Sequence, residues 1–147
     1  MKQEFSDYLE KIVGLTELYL ERALNAIIFY EHLLPDDIED IFVSEYIDSG
    51  GTRQYENLWI FTSNLVCEAK EFITEEDFDA TPIKNRIIYW NLRRTAFNGK
   101  TTSNNSRMTV HIKMDTGITG TLKASKENCT KLNEIFDKRF FPNSCNE

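Results

Sequence analysis

The chain is poor in the residues that cross-link, punctuate and catalyse. Its 147 residues include three cysteines, three prolines, six glycines, two histidines and two tryptophans. Cys67, Cys129 and Cys145 are odd in number and widely spaced, with no CxxC and no histidine beside them. That excludes a disulfide framework and offers no zinc-ligand spacing, so the thiols read as buried or idle. No apolar run approaches the roughly 20 residues of a membrane span; the longest cover residues 27–30 and 58–61. The first seven residues carry Glu4 and Asp7 where a secretory leader has a basic start and an apolar core, so the expected location is cytoplasmic. There is no glycine-rich phosphate loop. His32 and His111 belong to no recognisable ligand set or triad. The acid clusters at 36–37 and 75–77 lack the alternating pattern of a calcium loop. The expectation is a non-enzyme with no catalytic residue, no cofactor and no metal.

What is present is charge, unevenly divided. Residues 1–80 hold 19 acids and 5 bases, whereas residues 81–147 hold 5 acids and 12 bases. Between Lys84 and Lys126 nine bases face a single acid, Asp115. Such asymmetry suits either a polyanion-binding half or two halves that neutralise one another.

Hydrophobic periodicity supplies the elements. Over residues 3–34 Phe5, Tyr8, Leu9, Ile12, Thr16, Tyr19, Leu20, Ala23, Ile27, Tyr30 and Leu34 recur at spacings of three and four, which predicts a helix. Gly14 predicts a break into two helices, and Pro35 a stop. Leu15, Leu18, Leu24 and Ile28 lie off the main stripe and make the segment greasier than one contact face requires. From residue 41 the period becomes two. Strands are predicted over 41–47, 56–62, 65–72, 83–94, 107–114 and 118–124, with exposed loops at 74–82 and 98–106. In the clearest hairpin Met108, Val110, Ile112 and Met114 point one way, and Arg107, Thr109, His111 and Lys113 the other. Ser125 is the expected N-cap of a last helix, whose apolar side carries Cys129, Leu132, Ile135, Phe136 and Phe140. The expected domains are a helical segment over 1–35 and a β-domain over 36–147.

The segment Leu58-Trp59-Ile60-Phe61-Thr62-Ser63-Asn64-Leu65-Val66 is similar to the strand–Thr–turn–strand signature of bacterial pleckstrin-homology-like (PH-like) domains. Gly120-Thr121-Leu122-Lys123-Ala124-Ser125, leading into Asn128-Cys129-Thr130-Lys131-Leu132, resembles that fold's last strand and capping helix. The resemblance covers roughly residues 38–141. It implies an α+β chain: an N-terminal helix or helix pair, then a six- or seven-stranded antiparallel PH-like barrel or sandwich closed by a C-terminal amphipathic helix. A lipocalin-like or other half-open barrel shares this element order.

The family implies binding, not catalysis. Its lipid-binding members cluster bases in the loop joining their first two strands. That loop here spans 48–54 and offers only Arg53, which argues against phosphoinositides. The expected function is a non-enzymatic PH-like protein-interaction or self-assembly module, with a protein partner or homo-oligomer and no nucleic acid. Its helix-mediated interface would comprise Tyr8, Ile12, Leu15, Tyr19, Leu20 and Ile27. The alternative is an anionic-ligand binder, for a lipid head group or nucleic acid, using the strand face of Arg107, His111, Lys113 and Lys123.

Overall fold

The structure is a computed structural model, and it describes residues 1–70, 83–84, 87–95, 106–114, 117 and 119–140. The predicted loops at 74–82 and 98–105 lie outside the described residues. Helix α1 (Gln3–Asp7) continues as a π-helical turn, Tyr8–Val13. It ends where Gly14 takes a left-handed φ of 82°, and Leu15 N closes back on the Leu9 carbonyl at 2.9 Å. Glycine reaches that conformation without a Cβ clash. Helix α2 (Glu17–Leu33) follows, then strands β1 (Asp40–Ile47), β2 (Arg53–Phe61), β3 (Leu65–Lys70), β4 (Ile83–Lys84), β5 (Ile87–Thr95), β6 (Arg107–Met114) and β7 (Thr119–Ser125). Helix α3 (Asn128–Ile135) ends the described chain with a second π-helical turn, Phe136–Phe140.

The strands form two separate sheets, which corrects the expectation of one continuous PH-like barrel. One is the three-stranded antiparallel meander β1-β2-β3, with the two-residue β4 at its edge; the other is β5-β6-β7. No ladder joins the two among the described residues. Two-residue alternation fixes which face a side chain occupies, not which strand pairs with which. The predicted strand over 83–94 is the place where the sheets part, and a register irregularity follows between Ile87 and Tyr89.

The chain divides into two compact units. The first comprises Met1–Val43 and Tyr55–Ile83, the second Ser44–Gln54 and Lys84–Glu147. In the first, the helices are tied to strands by tyrosine hydroxyls. Tyr8 Oη accepts from Val43 N at 2.9 Å, Tyr30 Oη donates to the Glu68 carbonyl, and Tyr55 Oη donates to the Val13 carbonyl. Leu9, Ile27, Leu58 and Ile60 are fully buried there, each contributing about 1.5–3 kcal/mol. Thr62 turns β2 into β3 by accepting from Asn64 N and Leu65 N.

In the second unit the alternation of β6 is realised: Met108, Val110, Ile112 and Met114 are buried and His111 and Lys113 exposed. Helix α3 buries Cys129, Leu132 and Ile135, and the Phe136 ring meets Trp90 edge-on at 4.9 Å. The β1–β2 turn is held by Asp48. Its carboxylate accepts from Thr52 N and Gly50 N at 2.9 Å and from Gln54 Nε2 at 3.0 Å. The bonds from Thr52 and Gln54, chiefly, hold that carboxyl below its usual range.

Candidate functional site

The most elaborate polar cluster lies in the second unit, around Glu45 on β1. This side chain is wholly buried. Oε1 accepts from Arg53 Nε on β2 at 2.9 Å and from Ser125 Oγ at the end of β7. Oε2 accepts from Ser125 N at 2.7 Å and from Asn128 Nδ2, at the start of α3, at 2.9 Å. Four donors therefore converge on one carboxylate of β1, and they come from two further strands and a helix. Ser125 does not cap α3 as expected; Glu127 occupies the N-cap position without a capping bond, and the Ser125 hydroxyl is spent on Glu45. The cluster has no exposed acid–base member, and its geometry is that of an anchor.

Arg107, His111, Lys113 and Lys123 share the outer side of β6 and β7, but most of them are committed to partners in their own unit, which overturns the anionic-ligand reading. Arg107 Nη1 donates to the Ser106 carbonyl at 2.9 Å, and the Lys123 ammonium sits over the Tyr46 ring at 4.9 Å from its centroid. His111 Nδ1 lies 3.0 Å from Thr121 Oγ1. Lys113 is exposed. Arg53, the one base of the first inter-strand loop, is turned inward as an ion pair with Glu45. Apart from Lys113, these cations are engaged with their own unit and do not make the convergent set a phosphate requires.

The helical residues expected to form an interface divide sharply. Tyr8, Leu15 and Ile27 are buried inside the first unit, Ile12 and Leu20 are half-buried, and Tyr19 is exposed. Leu18, Ile28, Phe29 and Leu33 of α2 are 53%, 41%, 39% and 49% exposed. Ala23, Ala26, Ile27 and Tyr30 are buried, and the rest of the exposed side carries Glu21, Asn25 and His32, so the exposed apolar residues gather at the C-terminal end, with Leu18 apart at the N-terminal end. Glu17 and Glu21, one turn apart, are exposed beside Leu18. At the C-terminal end of the helix lies a cleft of about 620 Å³. Glu31, His32, Leu34, Asp36 and Asp37 are among its walls, with Lys2 and the N-terminal ammonium, which pairs with Glu31 at 3.4 Å. Asn64 Nδ2 fixes Asp36 at 3.1 Å.

Titratable groups elsewhere are structural in setting. Burial pushes the Cys67 thiol up to about 11. Desolvation, opposed by Lys70 and reinforced by Glu56, raises the Glu68 carboxyl, which accepts from Asn57 Nδ2. Among the described residues no group of three or more His, Cys, Asp or Glu is placed to hold a metal ion. Nor is any described helix long and apolar enough to cross a membrane.

The sequence signal for Glu45 was available. Ile41, Val43, Glu45 and Ile47 share one phase of β1, so the acid stands where an apolar residue is due. Ser125 and Asn128 carry no comparable signal. The chain matches no family model, no curated protein and no solved structure. With its strands in two sheets and no such match, the PH-like resemblance of residues 58–66 and 120–132 is withdrawn, together with the ligand and interaction roles it implied.

Proposed function

We propose that the chain is a non-catalytic protein that acts by binding another polypeptide along the outward side of α2. The observation that carries this reading is the exposure of Leu18, Ile28, Phe29 and Leu33 on a helix whose other side is already buried in its own unit. Scattered exposed apolar residues are ordinary, but Ile28, Phe29 and Leu33 cluster within two turns at one end of the helix, and an exposed apolar cluster is a candidate binding surface. Half-exposed side chains of this size leave on the order of 3–5 kcal/mol of transfer free energy to be gained on docking.

A non-catalytic role is supported by the chemistry of the candidate groups. The Cys67 thiol is far from its nucleophilic form near neutral pH. His32 Nδ1 faces the Ile28 carbonyl at 2.9 Å, and His111 faces Thr121. A cytoplasmic setting belongs to the same proposal, supported by the free thiols of Cys67 and Cys129. Separating soluble, membrane and exported fractions of the producing cell tests it, and recovery in the exported fraction overturns it.

Site-specific photo-crosslinking in cells tests the binding role. A photoreactive residue at position 29 is expected to yield a discrete adduct that Leu33→Asp abolishes. The same residue at position 109, on β6, is expected to yield none. Adducts of equal pattern from both positions, or none from position 29, refute the proposal.

A further inference from the structure

We infer that the occupant of the outward side of α2 is a basic amphipathic helix from a different protein, with apolar side chains at i, i+3 or i+4, and i+7 and with Lys or Arg on its flanks. This rests on the reading of α2 as a binding surface and goes further by naming the chemistry of the partner.

Charge around α2 selects the partner. The unit that contains α2 holds 17 carboxylates against four Lys and Arg, a formal charge of -13. Acids stand at both ends of α2. Glu17 and Glu21 are exposed beside Leu18, and Glu31, Asp36 and Asp37 line the cleft at the C-terminal end of the helix. The countercharges in reach are Arg22 and His32 on the helix, and Lys2 and the N-terminal ammonium in the cleft. An incoming helix with acidic flanks would set like charges together at both ends, which costs affinity and slows encounter. One with basic flanks places a cation near Glu17 and Glu21 and another in the cleft, while its apolar stripe covers Phe29 and Leu33.

A second copy of the chain is a poorer occupant. It would bring a second unit of -13 to the same surface. Negative charge also excludes an anionic membrane surface as the occupant.

The test uses the full-length chain and two labelled peptides of ~18 residues that share leucines at helical spacing, one flanked by lysines and the other by glutamates. Fluorescence anisotropy is expected to show the lysine peptide binding at least about tenfold more tightly at ~0.05 M salt, with the preference shrinking at ~0.5 M. Glu17→Lys/Glu21→Lys is expected to weaken the lysine peptide and strengthen the glutamate peptide, which a loss of folding would not do. Phe29→Ser/Leu33→Ser is expected to weaken both peptides. Equal binding of the two peptides, weakened by Phe29→Ser/Leu33→Ser, overturns the charge inference and leaves the binding surface standing. Binding of the lysine peptide that ignores Phe29→Ser/Leu33→Ser overturns both. A chain that sediments as a dimer, and becomes monomeric on Phe29→Ser/Leu33→Ser, overturns the inference in favour of a second copy.

Discussion

Replacing Glu45 with Gln should destabilise the second unit far more than replacing its ion-pair partner. Glu45 is fully buried and receives four hydrogen bonds, from Arg53 Nε, Ser125 Oγ, Ser125 N and Asn128 Nδ2. Glutamine keeps one acceptor oxygen and turns the other into a donor, which then opposes two of the four donors. It also leaves the Arg53 guanidinium, whose side chain is only 18% exposed, beside a neutral group. Breaking a buried ion pair from one side costs about 3–5 kcal/mol. Arg53→Met removes one donor of four and leaves the carboxylate held by Ser125 and Asn128, so about 1–2 kcal/mol is expected there. The readout is urea unfolding followed by tryptophan fluorescence. Trp59 lies in the first unit and Trp90 in the second. Trp59→Phe isolates the Trp90 signal, and it forfeits no hydrogen bond, because the buried indole N–H has no partner among the described residues. With an m-value of about 2 kcal/mol/M, Glu45→Gln should lower the midpoint by roughly 2 M, and Arg53→Met by less than about 1 M. Equal losses from the two substitutions would mean that the ion pair alone sustains the carboxylate. A loss below about 1 kcal/mol for Glu45→Gln would refute its role as the anchor joining β1, β2, β7 and α3.

Other consequences follow from single side chains. The Glu68 carboxyl is raised mainly by desolvation, so the folded state binds its proton more tightly than the unfolded state. Its contribution therefore favours folding at low pH and is lost as pH rises through the interval above 4.5, the ordinary value. Glu68→Gln should flatten that part of the stability–pH curve, and a curve unchanged between pH ~4 and ~7 would contradict the assignment. In a Cys145→Ser background, the buried Cys67, held near 11, and the buried Cys129 should resist a thiol reagent at pH ~8 until the chain unfolds. Rapid labelling of the native protein would show that one of them is accessible. Lys126 adopts a left-handed φ of 53° between β7 and α3, so Lys126→Gly should stabilise by about 0.5–1 kcal/mol in urea melts. A destabilisation would show that its side chain contributes more than its backbone costs.

The parts of this molecule that were legible are those fixed by local periodicity. The two-residue phase of Met108–Met114, the break at Gly14 and the buried stripe of α3 each follow from a repeat or a glycine within a few residues. Pairing was not legible, because alternation at 83–94 gives the same pattern whether the segment closes one sheet or divides two. The burial of the helical segment was half legible. Tyr8 and Ile27 of the regular stripe are buried and Leu18 and Ile28 of the surplus are exposed, but Tyr19 of the stripe is exposed and Leu15 of the surplus is buried. The Glu45 cluster shows the limit most clearly. An acid on the apolar phase of β1 announces that something must satisfy it, but Ser125 and Asn128 lie some 80 residues away, and only the fold brings them there.

The central claim is that the outward side of α2 is kept apolar for binding and not for folding. The most direct measurement takes Phe29→Ser/Leu33→Ser and records, on one preparation, its urea midpoint and its affinity for the lysine-flanked peptide. Both side chains are largely exposed, so stability should change by less than about 1 kcal/mol while affinity falls at least about tenfold. A stability loss above about 2 kcal/mol, or an unchanged affinity, would contradict it.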